Sequence, residues 1–348
     1  MDPVGEKDAA ARTRQATSHD VAALAGVSQP TVSRALRDSP AIARETRERV
    51  KAAAAQLDYR PHRAAMQLRG ARPGCIALVL LSAPGAERAA INPFYYELVG
   101  AVEAAAARRQ LSVSLSYQGE RASLRCDFEQ RGEADGVIVI GSAANGTAWR
   151  FFGTAHAAGG NVVGWGAPDD ALPTVRADNH AGAALAVDHL VAHGRRRIAF
   201  VGPGWQRHQA FRARRGGWQA ALARHGLDPI EADAPLAGSR VEQGEAAVAA
   251  LLAAGTAFDA VFAASDGLAL GVMRGLRMAG LTVPDAVAVI GFDGSYHARD
   301  SHPALTTIEQ DIARAGAMLV DAIMGELPMA TDGVTASVPV RLVVRASA

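Results

Sequence analysis

Between Asp20 and Leu36 the chain reads DVAALAGVSQPTVSRAL, and this run leaves a polypeptide few choices of structure. Apolar residues at Val21, Leu24, Ala25, Val32 and Leu36 are spaced for two short amphipathic helices, and Gly26 stands where the backbone must turn between them. The pattern predicts a helix-turn-helix. Ser28 is placed to cap the second helix, its hydroxyl accepting from the Thr31 amide, and Pro30, which has no N–H to lose, marks the helix start. With Val32 and Leu36 turned inward, Gln29, Pro30, Ser33 and Arg34 project from the front of that helix, where a major groove of double-stranded DNA would lie. Arginine can fork onto guanine and glutamine onto adenine, each good pair giving roughly 1–3 kcal/mol of base discrimination. An ordinary helical hairpin with a solvated polar face would fit the same pattern, so the residues downstream decide.

A third helix is expected from Arg44 to Leu57, with Val50, Ala53, Ala54 and Leu57 on one face and Asp58 or Tyr59 ending it before Arg60-Pro61. Then PHRAAMQLRG, residues 61–70, forms a helix-prone run of under three turns that needs a partner to fold. With these motifs together, residues 17–72 resemble the DNA-binding headpiece and hinge of LacI-type transcription regulators, and the likeness continues to about residue 345. It implies DNA contacts from Ser28, Gln29, Pro30, Thr31, Ser33 and Arg34 in the headpiece and from Arg63, Ala65 and Leu68 in the hinge. In that family two hinge helices pair in the minor groove, and the leucine matching Leu68 wedges between base pairs. Unstacking costs a few kcal/mol and is offset by a bent duplex that touches more protein. The chain departs from the family pattern at Ala43, where a capping Ser or Thr is common, and at Asp58, where Gly or Asn is common.

Charge agrees with this division. Residues 1–72 hold 13 Lys and Arg against 8 Asp and Glu, a net of +5, and the remainder holds 23 against 27, a net of −4. A basic end coinciding with a helix-turn-helix suits phosphate neutralisation. Residues 1–16 are polar, carry both signs of charge, and read as a disordered extension without the apolar core of a signal peptide; no run of eighteen apolar residues follows, so a cytoplasmic protein without membrane contact is expected.

From Cys75 onward, apolar runs at 75–81, 111–116, 136–140, 161–165, 197–201, 259–263 and 287–290 alternate with amphipathic stretches, which implies parallel sheets wrapped by helices. About 270 residues is large for one such sheet, and a second strand–helix series starts after Asp178-Asn179, so two Rossmann-like lobes with a cleft are expected. The resemblance implies the same, a core similar to periplasmic sugar-binding proteins in which the chain crosses between lobes three times, once near Pro303–Gln310. The resulting expectation is an extension at 1–16, a helix-turn-helix domain at 17–60, a hinge at 61–72 and an effector-binding and dimerisation domain at 73–345. Lobe 1 is expected at about 73–177 and 306–326, and lobe 2 at about 178–303 and 327–345.

Ligands of open α/β sheets bind at the carboxyl ends of strands. By resemblance, Phe94 of Asn92-Pro93-Phe94-Tyr95 packs on the ligand, Trp165 stacks on it, and Arg214, Ser265 and Asp293 contact it. Gly164 stands where the family commonly has an aspartate, a lost carboxylate that leaves the ligand class open. An arginine and an aspartate on opposite walls, with aromatics beside them, suit a sugar, since vicinal hydroxyls can bond a carboxylate and a guanidinium. Mutual pairing of Arg214 and Asp293 is the plainer alternative.

Enzymatic motifs are missing. Gly202-Pro-Gly204 lacks the third glycine of a dinucleotide loop because Arg207 occupies it, no Walker-type loop or Gly-x-Ser-x-Gly elbow occurs, and His189-Leu-Val-Ala-His193 lacks the glutamate of a zinc protease. His193-Gly194 reads instead as a helix end. Cys75 and Cys126 have no metal or redox spacing and are expected to be buried, reduced thiols, and no cofactor is expected. Residues 339–344 read as an apparent last strand, with no tetramer-forming heptad helix after it. The reading is a homodimeric repressor of a pseudo-palindromic operator, controlled by a sugar-like effector. The alternatives are a purine-type corepressor-dependent or ligand-independent regulator, or a solute-binding protein or sugar-acting enzyme with a vestigial headpiece.

Overall fold

Thr17 starts the first helix with a reciprocal cap: its hydroxyl accepts from the Asp20 amide, and the Asp20 carboxylate accepts from the Thr17 amide at 2.7 Å. The computed structural model describes residues 16–36, 38–57, 59, 73–83, 92–168, 172–202, 204, 208–232, 237–327 and 336–348. The hinge run 61–72, with Arg63, Ala65 and Leu68, and residues 1–15 lie outside the described residues. Two units are distinguished, 1–73 and 74–348.

The first unit contains α1 (Ser18–Ala25), α2 (Gln29–Ala35) and α3 (Arg44–Gln56). Gly26 ends α1 at φ 64°, a left-handed conformation that lets the chain reverse into α2. Val21, Ala22, Ala25, Val32, Ala35, Val50, Ala53 and Ala54 form the core. Leu24, expected inside, is 47% exposed. At 3.6 residues per turn the buried arc of Val21, Ala22 and Ala25 centres about 100° away from it. Leu36 and Leu57 are only partly buried against this core. Ser28 departs from expectation too: its hydroxyl meets the Thr31 hydroxyl at 2.8 Å and makes no cap bond to the backbone. Arg49 of α3 donates to the Ala25 carbonyl at 3.0 Å, tying α3 to the end of α1.

The second unit is built on two six-stranded sheets. The first holds β1 (Cys75–Leu81), β2 (Ser112–Gln118), β3 (Val137–Gly141), β4 (Val162–Trp165), β5 (Thr174–Ala177) and β11 (Ala336–Val338), in the order β11-β5-β4-β3-β1-β2, all parallel. The second holds β6 (Ile198–Val201), β7 (Ile230–Glu231), β8 (Ala260–Ala263), β9 (Ala288–Asp293), β10 (Thr306–Gln310) and β12 (Val340–Val343), in the order β12-β10-β9-β8-β6-β7. Only β12, antiparallel to β10, breaks the parallel pattern there. Central strands such as β1, buried along its whole length, carry the continuous apolar runs that parallel sheets demand.

The helices between them are α4 (Pro93–Arg108), α5 (Gly146–Ala157), α6 (Asn179–Ala192), α7 (Gln209–Arg224), α8 (Arg240–Ala253), α9 (Asp266–Met278), α10 (Tyr296–Asp300) and α11 (Ile312–Met324). Helices α8 and α9 touch backbone to backbone. A Cβ at Gly244 would lie 2.1 Å from the Leu268 carbonyl oxygen, and one at Gly271 would lie 1.9 Å from that of Val241. His193 and Gly194, at φ 82°, close α6 as the sequence suggests.

The chain passes between sheets at 177–179, 310–312 and 338–340, which corrects the expected lobe limits. Residues 306–310 lie in the second lobe as β10, parallel to β9, and not in the first. Residues 336–338 lie in the first, on β5, and not in the second. The Asp178 amide at the first crossing donates to the Val338 carbonyl at the third, 2.9 Å away. Cys75 is buried, whereas Cys126, expected to be buried, is only half so; burial pushes its thiol up to about 11. No described helix is long and apolar enough to cross a membrane.

Candidate functional site

In the first unit, Ser28, Pro30 and Arg34 are exposed on α2, and Gln29, Thr31 and Ser33 are half-buried. Gln29 does not stand alone: its amide donates to the Ser18 hydroxyl at 3.3 Å, joining the starts of α1 and α2. The front of α2 therefore presents Arg34 as an exposed cation beside short polar groups, a surface suited to a groove of DNA.

In the second unit, Phe94, Trp165, Arg214, Ser265 and Asp293 all line one cleft of about 700 Å³, open to solvent, between the two sheets. The Phe94 and Trp165 rings sit 6.1 Å apart and make one wall. Across it, the Arg214 side chain is held by three partners: Nε donates to Asn179 at 2.8 Å, and Nη1 donates to the Ala264 carbonyl and to Asp293 Oδ1, the latter at 3.2 Å. Its guanidinium carbon lies 3.5 Å from the centre of the Phe292 ring. Gln310 donates to the same Asp293 oxygen at 2.9 Å. Arg214 and Asp293 thus pair with each other, but neither is used up, because Arg214 Nη2 and Asp293 Oδ2 have no partner among the described residues.

Asp293 ends β9 at φ 126°, a strained conformation for an L-residue, which aims its carboxylate into the cleft. Burial pushes that carboxyl above the usual range against the pull of Arg214. Behind it, Asp266 is buried and accepts from the Ser295 amide at 2.7 Å and from the Thr307 hydroxyl; burial, then the Asp293 charge, raises it as well. Asp266 is a brace for the β9 end. Ser265 lines the cleft while its hydroxyl caps α9 at the Leu268 amide, 3.4 Å away.

Gly164 is not the site of a lost ligand carboxylate. A Cβ there would meet Trp149 at 3.1 Å and Ala167 at 3.5 Å, away from the cleft. Several lining residues escaped the sequence reading: Tyr95, Asn179, His208, Phe211, Arg240 and Gln310. Most come from the first turns of helices that follow strands. A signal did exist at Arg240, where the capping box Ser239-x-x-Glu242 marks a helix start and so places the next side chain at the crevice. Burial, followed by the charges of Arg240 and Arg214, lowers His208 to about 4 and keeps it neutral. Burial, with the Asp293 charge second, pushes the Tyr95 phenol up to about 12. No cluster of metal-ligating side chains occurs among the described residues.

Comparison with known proteins matches residues 17–62 to the family described as bacterial regulatory proteins, lacI family, and residues 187–348 to the periplasmic binding protein-like domain. The HTH-type transcriptional regulator CelR of Thermobifida fusca is 32% identical over 345 residues, 97% of this chain and 99% of its own. The ribose operon repressor of Escherichia coli (strain K12) is 28% identical over 91% of this chain and 94% of its own. Among solved structures, the lac repressor dimer bound to operator and the anti-inducer ONPF is similar with a TM-score of 0.75 at 26% identity, covering 96% of this chain and 99% of that one. The complex of the transcriptional regulator CelR with cellobiose is similar with a TM-score of 0.64 at 30% identity, covering 96% and 100%.

Proposed function

The chain belongs to the lacI family of bacterial regulatory proteins, and from that premise we propose a cytoplasmic, non-enzymatic, homodimeric repressor whose hold on operator DNA is governed by a polyhydroxylated effector bound in the cleft. The observation that carries this reading is the Arg214–Asp293 pair, each with one atom left for a ligand, beside the Phe94–Trp165 wall. A carboxylate oxygen and a guanidinium N–H side by side match neighbouring hydroxyls, and an aromatic face covers the apolar side of a sugar ring. Relatives named for cellobiose and ribose support the ligand class. Two helix-turn-helix units, one per subunit, would read the two halves of a pseudo-palindrome through Ser28, Gln29, Pro30, Thr31, Ser33 and Arg34, with Arg63, Ala65 and Leu68 as hinge contacts. Effector and operator then communicate through a coupling free energy of roughly 1–3 kcal/mol.

The test starts with selection of a binding site from random duplex DNA, followed by fluorescence anisotropy of that duplex with the full chain. Sugars, sugar derivatives and purine bases are then titrated in. One sugar-type compound should change operator affinity about fivefold or more, and Arg214→Ala or Asp293→Asn should abolish the response while DNA binding persists. A response to purines alone, or none to any compound, would overturn the effector assignment.

A further inference from the structure

Among the described residues that line the cleft, Arg214 and Arg240 stand with one carboxylate, Asp293. That carboxylate is already bonded to Arg214 and Gln310. Arg240 touches only neutral groups: its Nη1 donates to Gln243 at 2.8 Å, its Nη2 lies 3.4 Å from His208 Nε2, and its guanidinium stands 4.9 Å from the centre of the Phe211 ring, while the Asp293 charge, bonded to Arg214, acts on it only from beyond contact. No carboxylate among the described residues comes within 4.0 Å of it. Burial works against its charge, as the lowering of its pKa records, and a partly buried cation is costly without an anionic partner. Its position adds to the cost. Arg240 is the first residue of α8, where the helix dipole is positive and disfavours a cation.

The surroundings have the same sign. Asn92, Asn179, Gln209, Arg240 and Ser265, all lining the cleft, belong to the caps or first turns of α4, α6, α7, α8 and α9, so five helix amino ends face it. His208 is neutral, and its Nε2 faces an N–H donor. The Tyr95 hydroxyl, on the Phe94 wall, has no hydrogen-bond partner among the described residues and holds its proton to about pH 12, so it is a donor. A neutral sugar would satisfy Arg214 and Asp293 and leave Arg240 without an anion in contact.

Building on the effector reading above, we infer that the natural effector is an acidic sugar derivative, whose carboxylate or phosphate is held by Arg240 and the Tyr95 hydroxyl while its ring hydroxyls take Arg214 and Asp293. Arg240 is then the residue that selects charged over neutral sugars.

The experiment measures melting temperature and titrated affinity of the full chain with matched sets: neutral hexoses and pentoses, the corresponding uronates and aldonates, the corresponding sugar phosphates, and inorganic phosphate alone. An acidic member should stabilise the protein where its neutral parent does not. Arg240→Gln should weaken that member about tenfold or more, leave any neutral sugar unaffected, and melt like the wild type without ligand; Arg240→Lys should recover part of the loss. The carboxylate and phosphate arms tell which acid is used. A neutral sugar binding as tightly as its acidic partner, or Arg240→Gln binding the acid as well as wild type does, overturns the inference. If neutral sugars bind and lose affinity in Arg214→Ala, the sugar cleft stands and only the acidic class falls. No shift with any set counts against both.

Discussion

Arg214 pairs with Asp293, and in the proposed reading it also holds the ligand; the two roles separate on mutation. Arg214→Met leaves a buried carboxylate without its cation and should cost about 3–5 kcal/mol of stability in urea unfolding. Adding Asp293→Asn to it should restore much of that, since the uncompensated charge is gone, while effector response stays lost in both. His208 gives a pH signature. Its value near 4 in the folded protein lies below the ordinary 6.5, so the unfolded chain binds the proton first. Its contribution is complete above about pH 6.5 and disappears as the pH falls toward 4. Asp266 and Asp293, raised by burial, act in the opposite sense. Comparing His208→Gln with the wild type at neutral and acidic pH isolates the histidine, and the variant should lose less stability on acidification. Phe94, Trp165, Arg214, Ser265 and Asp293 are legible in sequence through the family segments they resemble, and Trp165, Ser265 and Asp293 also because they end or closely follow a strand. Arg240 is marked only by its capping box, and His208 and Gln310 are not legible, because their place depends on how helices dock and where the chain crosses between sheets.

Helices α8 and α9 approach so closely that their glycines are a packing requirement. Gly271→Ala would push a methyl group into the Val241 carbonyl, displace the α8 amino end and with it Arg240; an overpacking cost of about 1–3 kcal/mol should appear as a lowered melting temperature. Effector affinity should fall with it. On α2, Arg34→Ala should weaken the selected operator by roughly tenfold to a hundredfold and relax the sequence preference at one base pair, with little change on random DNA. Seven strands, the edge strand β2 among them, and the three headpiece helices are readable from periodicity within a residue or two for most, though β9 runs three residues beyond its expected end. Of the short edge and crossing strands only β12 is. Thr174–Ala177 and Thr306–Gln310 are too short or too threonine-rich to stand out as apolar runs, and their strand character comes from the neighbours they pair with.

At the scale of the molecule, charge is divided so that the first 72 residues carry +5 and the rest −4. Operator binding should therefore be strongly salt-dependent, weakening by about 10³- to 10⁵-fold between about 50 and 200 mM salt if each dimer contacts some 6–10 phosphates. Effector binding within the cleft should depend on salt far less if the ligand is neutral and detectably if it is acidic, a difference read by repeating the titration at two ionic strengths. The crossings carry a further consequence. Residues 336–338 complete the edge of one sheet and residues 340–343 the edge of the other, with Pro339 alone between them. During synthesis both sheets wait for the same eight residues, so neither lobe can finish before its twin. A ribosome that stops short of residue 336 releases a chain with two unfinished lobes, not one good lobe and one bad.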